Sequence, residues 1–206
     1  MISGRSILIA AALILASAPA WVPVLGPAWV PAARAADADW TLDRLGAAIA
    51  NTGDGPVPFI EERAVDYLDE PLMLSGYVAR EGARIEKHVL DPQKESVVFE
   101  GDSVTVRTAE GSVHTLDVDD HPMVQGLVAA FQATLQGRME ELAERFSVAL
   151  EGGEADWRLT LTPKTAAMKE ALSAVILSGR AGTIRTIRIE TADGDSSVMT
   201  LLHDGA

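Results

Sequence analysis

Hydrophobic and polar residues alternate in short segments along most of the chain, and each segment has the length of a β-strand. Polar turn residues, such as Glu100-Gly101-Asp102-Ser103, separate neighbouring segments. Short strands at near-even spacing are typical of an antiparallel meander that curves toward a barrel. The segments that carry this pattern are 59–67, 72–78, 83–90, 96–99, 104–107, 113–118, 157–162, 172–178, 183–190 and 197–203.

Helical periodicity replaces the alternation in three places, and residues 165–170 are expected to form a helical turn. The clearest is an amphipathic helix in which every fourth residue is apolar: Met123, Leu127, Phe131 and Leu135. Its expected N-cap is Asp120. Shorter helices are predicted over 40–49, with Asp39 as the N-cap, and over 139–146. The clear helix and the 139–146 helix could together form a lid over the sheet.

The N-terminal residues 1–35 have the features of a secretory signal peptide. One positive charge, Arg5, precedes an apolar run of about a dozen residues, and Ala33-Arg34-Ala35 provides small residues for cleavage. The run is shorter than the roughly 20 apolar residues that span a bilayer, although an uncleaved anchor is the alternative. We therefore expect cleavage after Ala35, a single domain over 36–206, and a periplasmic location in a Gram-negative bacterium.

Composition and motifs narrow the range of functions. The formal net charge of −13 disfavours binding to nucleic acid or anionic membranes. The absence of cysteine excludes disulfides, thiol catalysis and a lipid attached through cysteine. No serine-hydrolase, zinc-protease, P-loop or dinucleotide-binding motif is present, and the four histidines lie far apart in sequence. We expect no enzyme activity, no cofactor and no metal site.

The first predicted strand carries three consecutive charged residues, Glu61, Glu62 and Arg63. Because side chains alternate between faces, the two glutamates point in opposite directions and cannot act as a catalytic pair. Glu61 and Arg63 share a face that is apolar at its ends, at Phe59 and Val65. The sequence alone favours a solvated strand with an ion pair on one face.

The order of these elements resembles the outer-membrane lipoprotein carrier (LolA-like) family over nearly all of residues 40–204. The segments that carry the resemblance are Phe59-x-Glu61-x-Arg63, Pro71-Leu72-x-x-Ser75-Gly76-Tyr77-Val78, Asp91-Pro92-Gln93-Lys94-Glu95, Gly101-Asp102, Phe146, Trp157-Arg158-Leu159-Thr160-Leu161-Thr162-Pro163 and Asp193-Gly194-Asp195. The chain differs from the family in lacking a proline after Arg80 and the aromatic pair of the third strand, where Ile85-Glu86-Lys87 stands. These differences indicate a divergent member.

The resemblance implies a mainly β, α+β fold: an incomplete, strongly curved antiparallel β-barrel with short helices as a lid over an apolar cavity. It also implies a monomer that takes acyl chains of a lipoprotein or lipid from an inner-membrane donor to an outer-membrane acceptor. The family arginine that ties the closed lid to the barrel corresponds to Arg80. The alternative function is a sensor or adaptor module that binds a membrane-protein partner, and a hydrolase is a weaker third interpretation.

The expected cavity lining consists of apolar residues from the sheet and from the predicted lid. For each of them the alternative is an ordinary core position. These residues are Phe59, Leu72, Leu74, Val97 and Phe99 from the first half of the sheet, Met123, Leu127 and Phe131 from the lid, and Trp157 and Leu159 from a later strand.

Overall fold

The computed structural model describes residues 39–53, 55–66, 68–101, 103–117 and 122–203, with the backbone alone at Pro122 and Met123. The predicted signal peptide, the predicted cap Asp120 and the Met123 side chain lie outside the described residues.

In the described part of the chain, eleven antiparallel strands form a single open sheet. Their spatial order is β6-β5-β4-β3-β2-β1-β11-β10-β9-β8-β7, so two meanders meet where β1 pairs with β11. The predicted curved, incomplete barrel is confirmed as an open sheet that is not closed into a barrel. The strands are β1 (Val57–Ala64), β2 (Leu72–Glu81), β3 (Arg84–Asp91), β4 (Glu95–Glu100), β5 (Ser103–Thr108), β6 (Val113–Asp117), β7 (Phe146–Gly153), β8 (Asp156–Pro163), β9 (Leu172–Arg180), β10 (Thr183–Thr191) and β11 (Ser196–Leu201).

Within the described residues, four helices accompany the sheet: α1 (Leu42–Ala50), α2 (Pro122–Leu135), α3 (Met139–Arg145) and α4 (Ala166–Lys169). The predicted cap of α1 was wrong, since Thr41 rather than Asp39 caps this helix. The Thr41 hydroxyl accepts a hydrogen bond from the Arg44 backbone N–H at 3.3 Å, and the Thr41 backbone is extended. An N-cap must directly precede the first helical residue, and Asp39 is too far away to do so.

Helices α2 and α3 carry the chain from one edge of the sheet to the other. Strands β6 and β7 are consecutive in the chain but lie at opposite edges. The connection must therefore run from one edge of the sheet to the other, and α2, with 14 residues, is about 21 Å long. This crossing places α2 over one face of the sheet.

Strand β7 was not predicted, because the apolar spacing over 139–146 indicates a helix that continues to Phe146. The spacing of Leu142, Ala143 and Phe146 is compatible with one helix face. The structure ends α3 at Arg145 and gives Phe146 an extended backbone. From there Phe146, Val148 and Leu150 alternate toward the core as strand residues.

Alternation along each strand gives the sheet one face that the helices cover, which we call the inner face. In β1 the side chains of Phe59, Glu61 and Arg63 are buried on this face, whereas those of Ile60 and Glu62 are exposed on the outer face. The inner face is packed in three apolar clusters. They are a large one between the helices and β7–β10, a second between the first part of α2 and β4–β5, and a third on β1–β3.

Candidate functional site

The sheet residues predicted to line a cavity lie on the inner face, but in three different clusters. Phe59, Leu72 and Leu74 belong to the cluster on β1–β3. Val97 and Phe99 lie under α2 in the second cluster. Trp157 and Leu159 are fully buried in the large cluster. The structure therefore places these seven side chains on one face without bringing them together around a single void.

Helix α2 covers the second cluster through apolar contacts. Val124 and Val128 are buried against Val97, Val104 and Val106 of β4 and β5. Leu127, on another side of the helix, is half-buried and packs against the large cluster. Phe131 is also half-buried. The helix is thus seated on the sheet by small aliphatic side chains.

A surface pocket of about 300 Å³ opens between α2 and α3. None of the predicted lining residues contributes to it, and its wall contains the charged residues Glu141, Glu144 and Arg145. This pocket is separate from the apolar contact between α2 and the sheet. Its remaining walls are Ala129, Ala130, Leu142 and Phe146.

Arg80 connects the sheet to the ends of two helices. Its Nη1 atom donates a hydrogen bond to the carbonyl oxygen of Leu135, the last residue of α2, at 2.8 Å. Its Nη2 atom donates to the carbonyl oxygen of Thr52, just after α1. The final carbonyls of a helix have no intrahelical partner, so a cation at that position satisfies them and interacts favourably with the helix dipole.

A close contact also fixes α1 against the turn that follows α2. A Cβ atom added to Gly46 of α1 would lie 2.7 Å from the carbonyl oxygen of Gly137. Gly137 itself has a φ of +71°, which favours glycine. The contact points of α1 and α2 therefore lie close to the carbonyls that Arg80 holds.

A group of charged and polar side chains interrupts the apolar inner face at β1, β3 and β11. We call Glu61, Arg63, Lys87 and Ser197 the Glu61 cluster. One carboxylate oxygen of Glu61 accepts hydrogen bonds from Arg63 Nε at 2.7 Å and from Ser197 Oγ at 2.6 Å. The other accepts one from Lys87 Nζ. The Lys87 ammonium also lies 5.2 Å from the ring centroid of Phe59, within cation–π distance.

The predicted pairing of Glu61 with Arg63 on one face is confirmed, but the prediction of a solvated strand was wrong. Glu61 is only 2% exposed and Arg63 only 6%. Charge patterning within one strand cannot show which other strands contact it, and the partners Lys87 and Ser197 come from strands distant in sequence. The sequence contained one signal of this burial. Lys87 lies two residues from each of the apolar residues Ile85 and Val89, so its side chain points to the same face as theirs.

Burial and neighbouring charges act in opposite directions on the Glu61 cluster. Burial alone would raise the pKa of Glu61, but the positive charges of Lys87 and Arg63 and their hydrogen bonds lower it to about 2. Burial, reinforced by the Arg63 charge, lowers the pKa of Lys87 despite its contact with Glu61. The Glu61 carboxylate is therefore ionised at neutral pH and stabilises two cations in a mostly apolar environment.

Trp157 has the surroundings of a core residue. It is 1% exposed, and its indole N–H donates to the carbonyl oxygen of Ala181 at 2.8 Å. The described part of the chain contains no group of three or more histidine, aspartate or glutamate side chains placed to hold a metal ion. Within the same residues, no helix combines the length and the hydropathy needed to cross a membrane.

Two solved structures are similar to the chain over most of its length. One is a LolA superfamily protein from Nitrosomonas europaea, with 13% identity and a TM-score of 0.43, covering 79% of this chain and 90% of that chain. The other is described as an outer membrane lipoprotein-sorting protein domain from Vibrio parahaemolyticus, with 10% identity and a TM-score of 0.39, covering 80% of this chain and 92% of that chain.

No curated protein matches the chain. The family model for the outer membrane lipoprotein carrier protein LolA-like matches residues 30–206. That range includes every strand of the sheet and each helix named above. The resemblance noted in the sequence is thereby confirmed: the chain belongs to the outer membrane lipoprotein carrier protein LolA-like family.

Proposed function

We propose that this protein is a periplasmic carrier that binds the acyl chains of a lipid or lipoprotein between the inner face of its sheet and helix α2. It would receive this cargo at the inner membrane and release it toward the outer membrane, as a monomer whose residues 1–35 have been removed as a signal peptide. The family assignment supports a carrier or binding role rather than catalysis.

The observation that carries the proposal is the way α2 rests on the sheet. Its contact with β4 and β5 is made by aliphatic side chains, so lifting the helix would expose a continuous apolar surface. That surface would include the predicted lining residues Val97 and Phe99. Arg80 would act as the latch, because it holds the C-terminal end of α2 by a hydrogen bond that a small displacement breaks.

The free energies of helix seating and acyl-chain binding are of the same order. Burial of a valine side chain is worth about 1.5–3 kcal/mol, and α2 buries Val124 and Val128 in this contact. An acyl chain gains about 0.8 kcal/mol per buried methylene, so roughly ten methylenes would gain about 8 kcal/mol. A lipid chain can therefore replace the helix on the sheet, and the helix can return when the chain leaves.

Native mass spectrometry of the protein secreted to the periplasm, before and after extraction with organic solvent, tests this proposal. We expect an extractable adduct whose mass gives the class of the cargo, and a protein mass that begins at Ala36. A bare protein that also takes up no added acyl probe would contradict the carrier and favour the adaptor alternative. A mass that retains residues 1–35 would contradict cleavage without affecting the carrier.

A further inference from the structure

The Glu61 cluster contains more buried positive charge than its single fully buried carboxylate needs. Arg63 and Lys87 both donate to Glu61. Arg63 is only 6% exposed, and Lys87 is largely buried, with 15% of its side chain exposed. Cations are placed in such an environment only with a compensating acceptor, and Glu61 is shared between two of them.

Hydrogen-bond accounting at Arg63 shows where an acceptor is missing. A guanidinium has five N–H donors, and Arg63 uses the one on Nε to reach Glu61. Among the residues that the structure describes, its terminal Nη1 and Nη2 atoms have no hydrogen-bond partner. Neither of these two atoms is completely buried. Both atoms therefore keep some solvent contact and unused hydrogen-bond donors.

The next strands add two groups that face this region. Glu95 of β4 is half-buried on the inner face, and burial raises its pKa although Arg63 and Lys87 oppose the rise. Opposite it in β5, the hydroxyl of Thr108 is buried without a hydrogen-bond partner.

Apolar side chains surround the Glu61 cluster. Phe59 lies two residues before Glu61 on the same face, and Leu72 and Leu74 stand opposite Arg63 and Glu61 in β2. A chain lying along these apolar residues would bring its polar end to Arg63 and Lys87. The terminal fork of arginine matches the two oxygens of a carboxylate or phosphate.

We infer that Arg63 and Lys87 form a seat for the anionic headgroup of the cargo, a carboxylate or phosphate at the end of an acyl or alkyl chain. The inference rests on the proposed carrier function and narrows it, because it selects anionic amphiphiles over neutral ones of the same chain length. Lys87 supplies a point charge, and the terminal N–H groups of Arg63 supply paired donors.

Binding of matched probes to the wild-type protein provides the test. Hexadecanoate, hexadecyl phosphate and the neutral hexadecanol share one alkyl chain and differ in the headgroup, and calorimetry below their aggregation concentrations gives each Kd. We expect at least one anionic probe to bind about tenfold or more tightly than hexadecanol, the gain of a charge-assisted hydrogen bond. The tighter of the two anions identifies the headgroup chemistry.

Two substitutions locate the seat and one controls for charge. Arg63→Gln and Lys87→Met should each bring the Kd of the anionic probe to that of hexadecanol while leaving hexadecanol binding unchanged. Arg84→Gln removes the same charge from the outer face and should leave the preference intact. If Arg63→Gln does not fold, Lys87→Met and the comparison of anionic with neutral probes in the wild type still test the headgroup seat.

The outcomes separate this inference from the carrier function itself. Equal Kd values for anionic and neutral probes in the wild type would overturn the headgroup seat and leave the carrier intact. A preference that survives in every folded seat variant would place the seat elsewhere and overturn the assignment to Arg63 and Lys87. If no probe of any charge binds, the seat and the carrier function both fail.

Discussion

The Nη1 atom of Arg80 donates a hydrogen bond to the carbonyl oxygen of Leu135 at 2.8 Å. Through this bond a side chain of β2 holds the C-terminal end of α2, and the bond from Nη2 to Thr52 holds the segment after α1 in the same way. One residue of the sheet thus stabilises the position of two helices. The sequence resemblance implied a latch at Arg80, and the latching role itself stays a prediction that the following substitution tests.

Replacing Arg80 with methionine should loosen α2 and favour cargo binding. The variant loses two charge-assisted hydrogen bonds, and we expect a decrease of about 1–3 kcal/mol in the free energy of unfolding. Amide hydrogens of α2 should exchange faster, and the Kd for an acyl probe should fall several-fold because less free energy is needed to lift the helix. Arg80→Lys, which keeps one donor group, should lie in between. Unchanged exchange in α2 would show that Arg80 does not hold the helix.

A charge at Leu127, on the side of α2 that packs against the large cluster, should abolish acyl binding. Leu127→Glu places a carboxylate among the apolar side chains that Leu127 contacts. We expect the Kd of an acyl probe to rise at least tenfold, while the far-UV circular dichroism spectrum stays native. Gln125→Glu is the matched control, since it adds the same charge to the same helix and keeps an acceptor for Arg145. Loss of the native spectrum in Leu127→Glu would instead identify an ordinary core position.

Removing the Glu61 charge should destabilise the fold strongly. Glu61→Gln leaves Arg63 and Lys87 without their shared counter-ion, and breaking a buried ion pair costs about 3–5 kcal/mol. The neighbouring Glu62→Gln changes the same chemical group on the exposed outer face and should alter stability by about 0.5 kcal/mol or less. Urea unfolding measures both. Equal effects of the two substitutions would mean that the Glu61 cluster contributes nothing to stability.

The stabilisation from Glu61 should disappear at low pH. Its pKa falls from 4.5 in the unfolded chain to about 2 in the folded protein, so the contribution is fully present above pH 4.5 and is lost as the pH falls toward 2. Over that range the wild type should lose on the order of 3 kcal/mol more than Glu61→Gln. Glu95 has the opposite pH dependence, because burial and the Glu61 charge raise its pKa. A difference that stays constant with pH would contradict the lowered pKa.

The alternating pattern of the sequence predicted ten of the eleven strands among the described residues, because one buried face repeats every second residue in a sheet. The strand that was missed, β7, begins at Phe146, where helical and strand spacing coincide over three apolar residues. In that segment the partner strand determines the extended conformation, because Phe146 pairs with Pro163 and the following residues pair along β8. A local pattern contains no information about such a partner.

By itself, the sequence determined the strand periodicity, the position of helix α2 and the family, because these follow from local spacing and from motifs in a fixed order. Only the tertiary structure decided that Glu61, Arg63 and Lys87 lie together in a buried cluster, and that Arg80 reaches Leu135 and Thr52. The physical reason is distance along the chain. Burial and ion pairing depend on which remote strands and helices come together, and alternation within one strand shows only which residues share a face.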